Sequence, residues 1–308
     1  AQMAFIKGSC TEHAHIKFLH HLETHVKGPQ GVASIQLDIA SAYDRVWHPA
    51  LLNNLLHKQF PLYLCKIIQS FLAGRVLSMQ YAKGSANKML SLSVPQGAVL
   101  SPFLRNVFMD PLNQHLSQLD FLFQIASADD NILSIVYHKK SLHLLQNFNK
   151  ISQVFDIIQS WCYWHKASIN MAKTNFVASQ KGSHLNITLY TPLRDLQSST
   201  SLKFLGITFD DQLSFHKHVQ NTISASRILH HSLIKFYKIS LRLSPKTIHC
   251  IFTTVILPKI FYSPITWCSV LFSKVLMNKL QVFMNEFARF STRTIITTPI
   301  PLLLALAR

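Results

Sequence analysis

Acidic side chains are scarce in this sequence. Only 13 of its 308 residues are Asp or Glu, against 30 Lys and Arg, for a formal net charge of +17. Cysteine is scarce as well: Cys10, Cys65, Cys162, Cys250 and Cys268 are scattered, with no Cys-x-x-Cys pair. That spacing excludes a disulfide framework or a cysteine-built zinc site and reads as reduced thiols inside a cell. The 17 histidines include the neighbours His13/His15, His20/His21 and His230/His231. None belongs to a full ligand set at helical or knuckle spacing with cysteine or carboxylate, so surface histidines are expected rather than a metal centre. No signal peptide is read at the start, and the opening Ala1-Gln2-Met3 reads as a piece of something longer. No apolar run long enough to suggest a membrane span is uninterrupted either. The longest, over 251–272, is broken by Pro258, Lys259 and Pro264, which favours a buried helical pair over a membrane span. No internal repeat is apparent.

What is present points to a packed, basic protein. Hydrophobic residues make up 48% of the chain, 21 of them Phe, too many for a disordered protein. The positive charge should attract polyanions, nucleic acid above all, although a membrane surface would also answer to it. Two of the rare carboxylates stand side by side at Asp129-Asp130. The apolar residues around them, Ile125 and Ala126 before, Ile132, Leu133, Ile135 and Val136 after, describe a hairpin with buried strands and a charged tip. Adjacent carboxylates resist ionising together unless a cation neutralises them, and hard divalent ions prefer such oxygens. An ordinary Asp-Asp turn is the alternative. Upstream, 31–39 alternates as a strand that puts Ile35, Leu37 and Ile39 on one face and Gln36 and Asp38 on the other.

The remaining pattern is mixed. A short amphipathic helix is expected over 11–26, helices over 46–58 and 61–73, and strands over 76–81 and 89–94 about a Lys83-Gly84 turn. A helix over 102–119 precedes the Asp129/Asp130 hairpin. Between 141 and 161, apolar residues at three- and four-residue spacing (Leu145, Phe148, Ile151, Phe155, Ile158, Trp161) mark the clearest amphipathic helix. Short strands follow near 175–179, 185–190 and 201–208. From about Phe215 the chain reads as mostly helical, with Ser244-Pro245 as a cap and first-turn proline.

Five blocks then fall in order: 37–46 around Asp38, 94–102 with Pro95-Gln96-Gly97, the Asp129-Asp130 tip, 169–174 with Lys173, and 203–208 with Leu205-Gly206. Together they resemble motifs A to E of reverse transcriptases, in the LINE-like, non-LTR, jockey-type branch. Gln2–Thr11 resembles that family's block before motif A, and the region of Ile256 to Trp267 and Leu280 to Arg289 resembles its thumb helices. Ser127 stands where the family carries an aromatic, Ser93 where it carries Gly and Ala98 where it carries Ser.

The resemblance implies an α+β right-hand palm, a small antiparallel sheet backed by helices, followed by an all-helical thumb. Residues 1–30 would be a residual fingers or pre-palm segment, 31–214 the palm, and 215–308 the thumb and the start of the following region. The expectation is a copy truncated at its N-terminus, lacking most of the fingers. The implied activity is RNA-directed DNA polymerisation by two-metal nucleotidyl transfer. Asp38, Asp129 and Asp130 would be the catalytic metal ligands, with Asp38 and Asp129 bridging, and Mg²⁺ or Mn²⁺ the cofactor. Tyr43 would lie under the incoming sugar, Gln96 and Gly97 would line the nucleotide pocket, Lys173 would approach the triphosphate, and Leu205 and Gly206 would form the primer grip. Expected partners are an RNA template, a DNA primer and deoxynucleoside triphosphates, with neither a membrane nor an obligate protein partner. The setting would be an intracellular, nuclear or cytoplasmic ribonucleoprotein. A non-enzymatic, nucleic-acid-binding remnant of such a polymerase is the alternative. Asp44 reads as a helix cap, and Asp110 has no partner that the sequence identifies.

Overall fold

The computed structural model describes residues 2–41, 43–82, 84–128, 130–138, 145–182, 184–239 and 244–306. It comprises two compact units, Ala1–Leu205 and Gly206–Arg308. The first opens with α1 (Thr11–His25), β1 (Gln30–Asp38), α2 (His48–His57) and α3 (Leu62–Leu72). A hairpin of β2 (Val76–Tyr81) and β3 (Gly84–Met89) follows, then α4 (Ser101–Ser117), β4 (Leu122–Ser127), β5 (Asp130–His138) and α5 (Leu145–His165). The unit ends with β6 (Asn175–Ser179), the short β7 (Thr188–Leu189) and β8 (Leu196–Gln197), and β9 (Ser201–Phe204).

One antiparallel sheet, ordered β4-β5-β1-β6, organises this unit. Alternation in β1 decides its two faces. Ile35 and Leu37 join Leu133 and Ile135 of β5 in a core shared with Leu51, Leu104, Phe108, Phe155 and Ile158 from the helices. α5 turns its three-and-four stripe inward as its spacing predicts: Ile151, Phe155, Ile158 and Trp161 are all buried. It runs on to His165, whose imidazole Nδ1 bonds the Trp161 carbonyl at 3.0 Å. Residues 141–144, expected to begin it, lie outside the described residues.

α1 covers the other face. Its Phe18 packs edge-on to Phe204 at 5.9 Å, and His21 stacks on Phe123 at 3.8 Å with the rings 2° from parallel. His15 Nε2 bonds the Phe204 carbonyl at 3.1 Å. Most of the described histidines are at least partly exposed, as expected, but not all of them. His15, His21 and, in the second unit, His230 are buried, because a neutral imidazole packs like an aromatic ring once its surroundings are apolar. Burial holds the pKa of each below the usual range, and that of His21 falls to about 4.

Three strand expectations change. β3 spans 84–89, not 89–94, because Tyr81 pairs directly with Gly84 and the ladder zips back to Val76 opposite Met89. The strand expected over 185–190 shrinks to Thr188–Leu189. The one expected over 201–208 is interrupted at Leu205 and Gly206, whose φ of 45° and 90° end the extended run.

The second unit holds β10 (Ile207–Asp210), α6 (His216–Ile239), α7 (Pro245–Ile251), α8 (Leu257–Ile260), α9 (Pro264–Trp267), α10 (Lys274–Thr292) and α11 (Ile300–Leu306). Ser244 caps α7 as expected, its Oγ accepting from the Thr247 amide at 3.1 Å. Asp210 accepts from the amides of Gln212, Ser214 and Phe215 at 3.2, 2.8 and 2.6 Å, which secures the turn into α6. Arg227 forks onto Glu286 between α6 and α10, with N–O distances of 3.2 and 2.9 Å. Among the described residues, no single helix is long and apolar enough to cross a membrane. The segments Lys246–Ile260 and Pro264–Val270 pass that test only as a pair, bent by 53°.

Candidate active site

The polar end of the sheet's α1-side face is where the expected site residues gather. Asp38 is the last residue of β1, and the register sets it directly opposite Asp130, the first residue of β5. Directly opposed residues share a face, with Cβ atoms about 4.5–5.5 Å apart. Both are partly exposed. Two like charges so placed destabilise a ladder unless something neutralises them.

The hairpin below them is tight. Ser127 pairs with Asp130, and Ala128 turns the chain with a left-handed φ of 53°, as a two-residue loop requires. Asp129 lies outside the described residues. Among the described residues no group of three His, Cys, Asp or Glu side chains converges on a metal position. The donors at hand, two hard carboxylates forced together, suit a divalent cation of the magnesium kind.

Around this pair the chain brings in three further segments. Ile39 bridges Ile169, and the Asn170 amide donates to the Asp38 carbonyl at 2.8 Å. The Asn170 carbonyl then accepts from the amides of Lys173 and Thr174, so the turn carrying the exposed Lys173 starts beside Asp38. Tyr43 sits half-buried in the turn after β1, and its carbonyl accepts from the Val94 amide at 3.0 Å. That bond ties the Pro95-Gln96-Gly97 loop to the Asp38 strand. Gly97 has φ 87°, and a Cβ there would meet open space; conformation rather than crowding keeps glycine at this point. Gln36, on the same face as Asp38, donates to the Lys203 carbonyl at 2.7 Å. This holds the end of β9, and so Leu205, against the polar face.

Sequence reasoning passed over several contributors. Asp44 does not cap α2, whose N-cap, Trp47, has no side-chain bond. It instead accepts from Gln96 Nε2 at 3.1 Å, orienting that amide. Asp110 does have a partner, an ion pair with Lys58. Arg105, in α4, is fully buried: its Nη1 donates to the Ala128 carbonyl, and its guanidinium lies 5.8 Å from the Tyr43 ring centroid. The available signal was a cation inside a helix face otherwise made of Leu104, Val107 and Phe108.

The family profile described as "Reverse transcriptase (RNA-dependent DNA polymerase)" matches residues 1–209. The RNA-directed DNA polymerase from mobile element jockey of Drosophila melanogaster is 30% identical over 240 residues, 73% of this chain and 25% of that protein. The jockey polymerase of Drosophila funebris is 33% identical over 199 residues, covering 59% and 20%. The probable polymerase from transposon X-element of Drosophila melanogaster is 25% identical over 294 residues, covering 94% and 32%. The chain thus spans about a third or less of the length of these relatives. Among solved structures, apo telomerase from Candida tropicalis, truncated from its C-terminal domain, aligns with a TM-score of 0.46 and 14% identity, covering 69% of this chain and 40% of that one.

Proposed function

The chain belongs to the reverse transcriptase (RNA-dependent DNA polymerase) family, and we propose that it acts as the RNA-directed DNA polymerase domain of a jockey-type, non-LTR retrotransposon. The reading rests above all on Asp38 standing opposite Asp130 at the turn end of the β4–β5 hairpin. Phosphoryl transfer asks a protein mainly to position reactants and neutralise charge. Oxygens converging from separate strands serve that purpose.

In this reading Asp38 and Asp130, with Asp129, hold magnesium or manganese. When bound, the metal lowers the pKa of the primer 3′-hydroxyl and neutralises charge on the departing pyrophosphate. Tyr43 lies beneath the incoming sugar and disfavours a 2′-hydroxyl. Gln96, oriented by Asp44, and Gly97 meet the nucleotide and template. Lys173 reaches the triphosphate and supplies a proton to the pyrophosphate. Leu205 and Gly206 support the primer end. The helices of the second unit act as the thumb, the substrates are an RNA template, a DNA primer and deoxynucleoside triphosphates, and the setting is an intracellular ribonucleoprotein. A second reading, a nucleic-acid-binding remnant without catalysis, is favoured by Ser127 standing where the family carries an aromatic.

Primer extension on poly(rA)/oligo(dT) with Mg²⁺ and then Mn²⁺ separates the two. Extension is expected from the wild type. In Asp38→Asn and Asp129→Asn it should fall by about a hundredfold or more, since several kcal/mol of charge stabilisation is removed. Duplex binding without synthesis in all three proteins would instead establish the remnant.

A further inference from the structure

Arg105 is fully buried, yet a guanidinium withdrawn from water is rare and costly unless its contacts compensate. A side chain kept only to fill α4's inner face would be better served by an aliphatic residue of similar volume. Two of its contacts instead fall on turns that carry the candidate site. Nη1 donates to the carbonyl of Ala128, the left-handed residue of the β4–β5 turn. The same guanidinium lies 5.8 Å from the centroid of the Tyr43 ring, in the turn after Asp38. Arg105 itself belongs to the helix that begins just beyond Gln96 and Gly97. One rigid, planar cation therefore joins three chain segments at this site. A charge-assisted bond to a carbonyl is of the strong kind, and it offsets the cost of holding an alanine in a left-handed turn.

We propose that Arg105 is a positioning residue of this site. It sets the β4–β5 turn, and with it the start of β5 at Asp130, against Asp38 and Tyr43. The inference rests on the polymerase reading, because it assigns Arg105 its task through the metal-holding carboxylates. Its consequence is read without catalysis, in the affinity of the chain for divalent cation. Partners behind metal ligands commonly change affinity by about tenfold to a hundredfold when removed.

The test titrates Mn²⁺ into the 308-residue chain, reading free ion by electron paramagnetic resonance and the thermal midpoint alongside. Arg105→Met keeps length and apolar bulk but removes the fork, while Arg105→Lys keeps the charge alone. Arg105→Met is expected to bind Mn²⁺ about tenfold or more weakly at an unchanged midpoint, with Arg105→Lys in between. Wild-type affinity in a folded Arg105→Met overturns the proposal. If that variant does not fold, Arg105→Lys decides, and wild-type affinity there overturns it equally. A wild type that binds no Mn²⁺, indistinguishable from Asp38→Asn, overturns the polymerase reading itself and the role of Arg105 with it.

Discussion

At the scale of single residues, Asp38 and Asp130 carry opposite consequences for stability and for function. Their cross-strand pairing sets two negative charges on one face, a repulsion worth about 0.2–1 kcal/mol in a ladder. Asp38→Asn in EDTA should therefore melt about 1–3 °C above the wild type, given the usual sensitivity of a domain this size. Added Mg²⁺ should narrow or reverse that order, because the wild type gains a ligand that the variant has lost. Scanning calorimetry with and without metal reads both effects. An Asp38→Asn that melts below wild type in EDTA would mean the pair is not under charge strain. Asp44 and Gln96 make a gentler case. Their bond is exposed, so its value lies in orientation rather than in stability.

At the scale of elements, α1 shows how burial changes the chemistry of a side chain. His21 is stacked on Phe123 and flanked by His25, whose Nδ1 contacts the His21 carbonyl at 2.9 Å. Desolvation, then the nearby His25 and His20, lowers its pKa to about 4. An unfolded histidine titrates near 6.5. Between those values the unfolded chain takes up a proton that the folded chain refuses. The His21 contribution is thus fully present above pH 6.5 and is lost as pH falls toward 4. The loss approaches about 3 kcal/mol at most. His21→Leu should flatten that part of the curve, a difference that urea midpoints at pH 7.5 and pH 5 would display. Equal slopes in the two proteins would show that α1 loosens before His21 is charged. The β2–β3 hairpin is the contrasting element. Every residue of both strands is exposed, and an isolated two-stranded hairpin is marginal by itself.

At the scale of the molecule, charge dominates. With a net +17, binding to nucleic acid should be largely electrostatic and release counterions. If the chain neutralises about six to ten phosphates, affinity for duplex should fall by about 10³–10⁵ between 50 and 200 mM salt. Asp38→Asn should show the same slope, because carboxylates at the centre do not contact the phosphates that set it. A weak salt dependence, in fluorescence anisotropy, would remove the electrostatic account of binding. Large apolar side chains such as Leu62, Tyr63, Ile67 and Val99 are also exposed.

Much of this protein was legible along the chain. The three-and-four spacing of α5, the alternation of β1, the Asp129/Asp130 hairpin and the Ser244 cap are consequences of neighbours a few residues apart, and periodicity records them. The order of the motifs likewise needs no third dimension. Four matters were decided only when distant segments met: that Asp130 opposes Asp38, that Gln96 is held by Asp44, that His15, His21 and His230 are buried, and that Arg105 reaches Ala128 and Tyr43. The physical reason is common to all four. A residue's propensity depends on its own backbone and near neighbours, whereas register, desolvation and the partner of a buried charge depend on which remote strand or helix packs against it.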